Sequence, residues 1–193
     1  MQRKKHLHWW LGLAVAAALT AIPAAAQGGR GGTQPYAYEP AASDPPPVKT
    51  QHSITVNGKT LSYTAEVGKI PIPDASGKTT GHMFYVAYIL NHPDPGHPRP
   101  VTFSYNGGPG SDSVYVHLGG FGPRRVELNA DGSNPAPPYR LVDNADTWLD
   151  ASDLVFVDAV GTGYSRATSR QDLMKAATAQ GDMDCFAQFG RLW

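Results

Sequence analysis

Residues 153–159 read D-L-V-F-V-D-A, a continuous apolar run between two aspartates. An alternating pattern would leave one face of a strand in water, whereas this run has no polar face to offer. It reads as a strand buried on both faces, the type found inside a parallel sheet. Such a strand needs neighbours on both edges and covering elements above and below, which commits the chain to a layered α/β architecture. Its exit is glycine-rich, G-T-G-Y-S-R at 161–166.

A second strand ends the same way. P-V-T-F-S-Y at 100–105 runs directly into N-G-G-P-G at 106–110. Glycine lacks a Cβ, so another group can approach the main chain closely. Proline fixes φ and gives up an N–H. A loop of this composition turns backbone amides toward a cleft. Two chemistries use that arrangement. A phosphate loop of the G-x-x-x-x-G-K-[ST] type is excluded, because no lysine follows the glycines. An oxyanion hole for acyl transfer fits better, since α/β-hydrolases take one of its donors from the loop after the third strand. A tight turn without a ligand has the same composition, and the residue types alone do not choose between these two.

The rest of the chain divides into three parts. Residues 1–26 open with basic M-Q-R-K-K-H, continue through a short apolar stretch and finish at P-A-A-A-Q. That is the layout of a secretory signal peptide cut after Ala26; the stretch is shorter than the roughly 20 residues a membrane span requires. Export to the periplasm or beyond is expected, with no membrane attachment after cleavage. Residues 27–50 are rich in Gly and Pro without apolar period and read as a flexible arm. Structure is expected from near Ser53 onward, in a folded domain spanning 51–193. It begins with a hairpin at Asn57-Gly58, a strong turn signal between alternating apolar runs. A third run, K-I-P-I-P-D, a turn at Asp74–Gly77 and a strand at 81–90 follow. A short strand, a turn at Asp131-Gly132 and a return are read between 121 and 144. Met183, Phe186, Phe189 and Trp193 fall at helical spacing. No stop signal follows this helix, and its apolar face reads as unpaired, so the chain is expected to be cut short of its next strand.

Sixteen basic and sixteen acidic residues cancel, which argues against a nucleic-acid partner. Cys185 is the one cysteine, so no internal disulfide can form. In its apolar helical pattern it reads as a buried structural thiol. His82 and His117 lie in apolar patterns and read as hydrogen-bonded structural histidines; His92 and His97 flank a proline-rich loop. No histidine pair has zinc-site spacing, and no metal or cofactor is expected.

The two junctions, read at full length, resemble a known family. N-G-G-P-G-S-D-S-V-Y-V-H-L-G-G-F-G-P-R-R-V and D-T-W-L-D-A-S-D-L-V-F-V-D-A-V-G-T-G-Y-S are similar to the two successive signatures of the serine carboxypeptidases, and the G-P-R-R and V-G-T-G-Y-S wording is nearest to secreted bacterial members. The resemblance spans roughly Ser53 to Trp193. It implies the N-terminal part of an α/β-hydrolase fold, a mixed sheet with a leading antiparallel hairpin. It also implies a Ser-Asp-His triad that removes one residue at a time from a peptide C-terminus. By the same resemblance, Gly108 matches the glycine whose N–H helps form the oxyanion hole. Asn106 and the N–H of Gly107 match the groups that hold the substrate's free carboxylate, and Tyr105 lines that pocket.

The sequence departs from the family in instructive places. Ser111 stands where many eukaryotic members carry a disulfide-forming Cys. Asp112 stands where a small Ser is usual; it either weakens binding of an anionic substrate or caps the following helix. The family's nucleophile lies in G-E-S-Y-G, on the strand after the last helix here, and no G-x-S-x-G occurs in the 193 residues. The nearest approach is G-Y-S-R-A around Ser165, which lies beyond the strand end and lacks the second glycine. Asp158 ends a strand where an open sheet places catalytic acids, but the resemblance assigns it to the second signature and not to the triad. Gly161-x-Gly163 fails as a dinucleotide loop because Arg166 occupies the third glycine position. Two readings remain: part of a secreted serine-type carboxypeptidase, inactive as this fragment alone, or a non-catalytic secreted module that binds peptide C-termini or other carboxylates.

Overall fold

The computed structural model describes residues 44–91, 96, 98–107 and 110–193. The signal peptide, most of the arm, His92, His97 and Gly108 lie outside the described residues. The sheet grows from the expected hairpin. β1 (Val48–Val56) and β2 (Lys59–Pro73) pair antiparallel from Val48↔Val67 to Val56↔Lys59. Asn57 and Gly58 both take positive φ between them, 50° and 76°, as a two-residue turn matching the twist of its strands requires. β1 thus starts five residues ahead of Ser53. The run K-I-P-I-P is no separate strand but the far half of β2. Its prolines sit beyond Val67, where β1 has ended and the edge of β2 opposite β3 carries no ladder, so the missing N–H groups cost no strand pairing there.

β3 (Thr79–Leu90) returns along β2 after the Asp74–Gly77 turn. The Asp74 carboxylate closes that turn by accepting the N–H groups of Ser76 and Lys78 at 2.8 and 3.1 Å. β7 (Asp153–Val157) then pairs antiparallel with β3 and parallel with β4 (Val101–Ser104). The order β1-β2-β3-β7-β4 makes a mixed sheet, so the apolar strand is buried in a mixed and not a purely parallel environment. β8 (Arg166–Ala167) joins the far end of β3. β5 (Arg124–Val126) and β6 (Leu141–Asp143) form a separate two-stranded ribbon, the strand, turn and return expected from the sequence.

The period of two in β7 accounts for its composition. Val155 and Val157 enter one core with Ile72, Met83, Tyr85 and Phe189. Leu154 and Phe156 enter another with Ile54, Leu61, Tyr88 and Leu149. Two helices absent from the strand pattern help to close the first face. α2 (Arg170–Ala176) is capped by Ser169, whose hydroxyl accepts the Asp172 N–H at 3.1 Å. α3 (Ala179–Leu192) is capped by Thr178 in the same manner. A one-turn helix, α1 (Val114–Val116), leads into a π-helical turn over His117–Phe121 on the other face.

The apolar face of α3 is not unpaired, contrary to the sequence expectation. Phe189 is fully buried against Tyr85 and Phe103, Phe186 stacks on Tyr105, and Trp193 meets Phe103 edge-on. Of the four spaced residues Met183 is the most exposed, at 59%, and Trp193 is 36% exposed beside Phe103. The open surface lies at the sheet edge instead. Among the described residues no strand pairs with the outer edge of β4, where Val101 and Phe103 are each 40% exposed. Phe189→Ala is expected to cost about 3–5 kcal/mol in denaturant unfolding, and Met183→Ala within about 0.5 kcal/mol. Equal effects would mean that α3 does not dock as described.

Candidate functional site

β4 and β7 run side by side in the same direction, in register from Val101↔Asp153 to Ser104↔Phe156. Their exits therefore emerge together at one end of the sheet. The carboxyl ends of adjacent parallel strands are where open α/β sheets place their ligands. The glycine-rich segments that follow the two strands, beginning at Tyr105 and at Gly161, leave the sheet at that end.

Asp158, the first residue after β7, joins them. It is 6% exposed. Its Oδ1 accepts the Ser113 N–H at 2.9 Å and its Oδ2 accepts the Tyr164 N–H at 3.1 Å. Burial raises the Asp158 carboxyl above the ordinary carboxylate range; the two N–H groups oppose that shift, nearby Asp112 adds to it and Arg166 opposes it. Ser113 completes the joint: its hydroxyl donates a short hydrogen bond to the Val157 carbonyl and accepts the Asn106 N–H at 3.4 Å. Both ends of the loop after β4 are thereby tied to the end of β7. Gly163, at φ 46°, lies against this carboxylate so closely that a Cβ would stand 2.0 Å from Oδ2.

The sequence-derived residues fall around this joint. Asn106 is half-buried, and among the described residues its carboxamide makes no hydrogen bond. Gly107 is exposed, and a Cβ built on it would meet nothing within 4 Å. Its bare backbone is therefore not required by packing against the described residues. Tyr105 is 53% exposed and stacks on Phe186 with ring centroids 4.2 Å apart. Asp112 accepts the Val114 N–H at 3.2 Å, an Asx-type turn ahead of α1, whose N-cap position is held by Ser113 without a side-chain cap bond. The bridging role of Ser113 has no motif of its own in the sequence. That of Asp158 was signalled only by an aspartate at a strand end before Gly-x-Gly.

The near-miss nucleophile and the histidines are occupied elsewhere. Ser165 is fully buried; its hydroxyl donates to the Asp158 carbonyl and accepts the Phe84 N–H, both at 2.8 Å. It fastens the exit loop to β3. His117 bonds to the Tyr88 hydroxyl at 2.6 Å and stacks on Phe156 at 4.6 Å. Burial pushes its ring down to about 4. His82 is buried against Asp44. Burial pushes the Cys185 thiol up to about 11, which leaves it un-ionised near neutrality. Among the described residues no group of three or more His, Cys, Asp or Glu converges as a metal site would require.

Two measurements check these assignments. Ser165→Ala should lower stability by about 1–3 kcal/mol, the cost of stranding a buried N–H; an unchanged unfolding midpoint would contradict the anchoring role. The His117 ring should titrate by NMR near pH 4. The unfolded chain takes up that proton near its ordinary value, so the stabilisation is complete above about pH 6.5 and lost as pH falls to about 4, on the order of 3 kcal/mol in all. A midpoint near 6.5 in the folded protein would show the ring to be solvated.

Two comparisons with known proteins bear on the family. A protein of Arabidopsis thaliana described as serine carboxypeptidase-like 23 is 27% identical over 115 residues, covering 58% of this chain and 22% of that protein. The chain thus spans about a fifth of the length of the curated relative it matches. The sequence model of the serine carboxypeptidase family matches residues 60–191, which includes β2 through α3 and both strand exits. The chain belongs to the serine carboxypeptidase family.

Proposed function

We propose that the chain supplies the substrate-carboxylate anchor and one oxyanion donor of an exported serine-type carboxypeptidase. The observation that carries this reading is bare, open backbone at Gly107, next to an Asn106 carboxamide that bonds to none of the described residues, at the carboxyl ends of two parallel strands in a member of this family. A peptide's terminal carboxylate would accept hydrogen bonds from Asn106 and the Gly107 N–H, with Tyr105 beside it. Only a chain terminus offers that group, so the contact selects exopeptidase action. The adjacent Gly108 N–H would face the carbonyl oxygen as it becomes an oxyanion; a preorganised donor of this kind lowers the barrier by about 3–4 kcal/mol. The acyl-enzyme step requires a serine on a strand-to-helix turn, and no G-x-S-x-G occurs in these 193 residues. Hydrolysis therefore depends on residues outside them. The edge of β4 that no described strand pairs, with Val101 and Phe103 half-exposed, suits a further strand carrying that turn. The basic, apolar and small-residue segments of 1–26 support export with cleavage after Ala26.

The test pairs binding with turnover. The 193-residue chain should bind an N-blocked dipeptide with a free C-terminus, ignore its C-terminal amide, and hydrolyse neither. Asn106→Ala should weaken that binding about tenfold to a hundredfold, the value of a hydrogen bond to a charged group, about 1.5–3 kcal/mol. The open reading frame containing these residues should continue to G-E-S-Y-G, and its product should release the C-terminal residue. Turnover by the 193-residue chain alone would overturn the division of labour. Equal binding of acid and amide would overturn the anchor. A frame that stops at Trp193 with selective binding retained would leave a non-catalytic module for peptide C-termini.

A further inference from the structure

We propose that Asp158 is a positioning residue: by accepting the N–H groups of Ser113 and Tyr164 on its two oxygens, it sets the loop after β4 in the conformation that receives a peptide carboxylate. The inference rests on the reading of Asn106 and Gly107 as that anchor. Three features support it. The clasp is two-sided, with one oxygen for each strand exit, so the loops move as one body or not at all. Ser113 passes the constraint to Asn106, because the hydroxyl that receives the Asn106 N–H belongs to the residue whose own N–H Asp158 holds. Gly163 leaves room for the carboxylate and for nothing larger, since a Cβ there would meet Oδ2 at 2.0 Å and the Asp112 Cβ at 2.9 Å. The charged groups that face Asp158 are Asp112 from the β4 side and Arg166 from its own exit loop.

Ionisation matters to such a clasp. A carboxylate offers two acceptors for two N–H groups, whereas a protonated or amidated side chain turns a donor toward one of them. Asp158→Asn should therefore release one loop while keeping shape and volume. Gly163→Ala should displace the carboxylate without altering its charge. The test uses the isotope-labelled chain and the N-blocked dipeptide, free acid and amide. In the wild type, the Ser113 and Tyr164 amide shifts should follow a single pH transition, and affinity for the free acid should fall through the same transition. Both variants should still melt cooperatively and should bind the free acid at least tenfold more weakly, with the shared amide transition lost in Asp158→Asn. Should Asp158→Asn fail to fold, Gly163→Ala and the wild-type titration decide the matter. Selective binding by the wild type with undiminished binding in the folded variants, or independent titration of the two amides, overturns the inference alone. Binding of neither peptide by the wild type overturns the anchor reading, and the inference with it.

Discussion

The double burial of β7 is the constraint on which the rest depends. Four of its five residues, Leu154 to Val157, contribute side chains alternately to two cores. An apolar strand of this kind cannot sit at an edge without exposing its ladder and both its faces. It must lie between β3 and β4, and that placement makes β4 and β7 parallel neighbours. Parallel neighbours end together, which puts both exits within reach of Asp158 and Ser113. The site is thus a consequence of the packing of β7.

Polar groups finish what burial begins. Leu90 and Arg99 both bind Asp153 at the start of β7, each at 3.0 Å, and Asp158 receives two amides at its end. A five-residue strand is therefore bracketed by two carboxylates, each serving segments distant in sequence. This explains why the apolar run is flanked by aspartates. Removing either would leave buried N–H groups without acceptors, a larger loss than the bonds themselves contribute.

Much of the fold was legible because its signals are local. The Asn57-Gly58 turn, the Asp74–Gly77 turn and the apolar run of β7 each declare themselves within a few residues. The errors arose where a long-range partner decides the outcome. K-I-P-I-P-D read as a separate third run, yet it continues β2, and Pro71 and Pro73 are accommodated because β1 does not reach that far along β2. The apolar spacing of α3 read as an unsatisfied face, because the rings that cover it, Tyr85, Phe103 and Tyr105, come from strands far back in the chain. At the candidate site, Asn106 and Gly107 were named only through a resemblance of motifs. Ser113 was not, because a serine that bridges by one hydroxyl looks like any other serine in a loop.

The topology also dictates an order of assembly. β1, β2 and β3 are joined by tight turns and pair with their sequence neighbours, so they can form as soon as they are made. β4 cannot. Its partner is β7, and Val101 must wait for Asp153 while the whole β5–β6 ribbon is synthesised between them. During that interval a short apolar strand followed by a glycine-rich loop has no ladder to join. In a nascent chain, β4 therefore stays open to a chaperone or a protease until β7 is made, and only the two-residue β8 joins the sheet later.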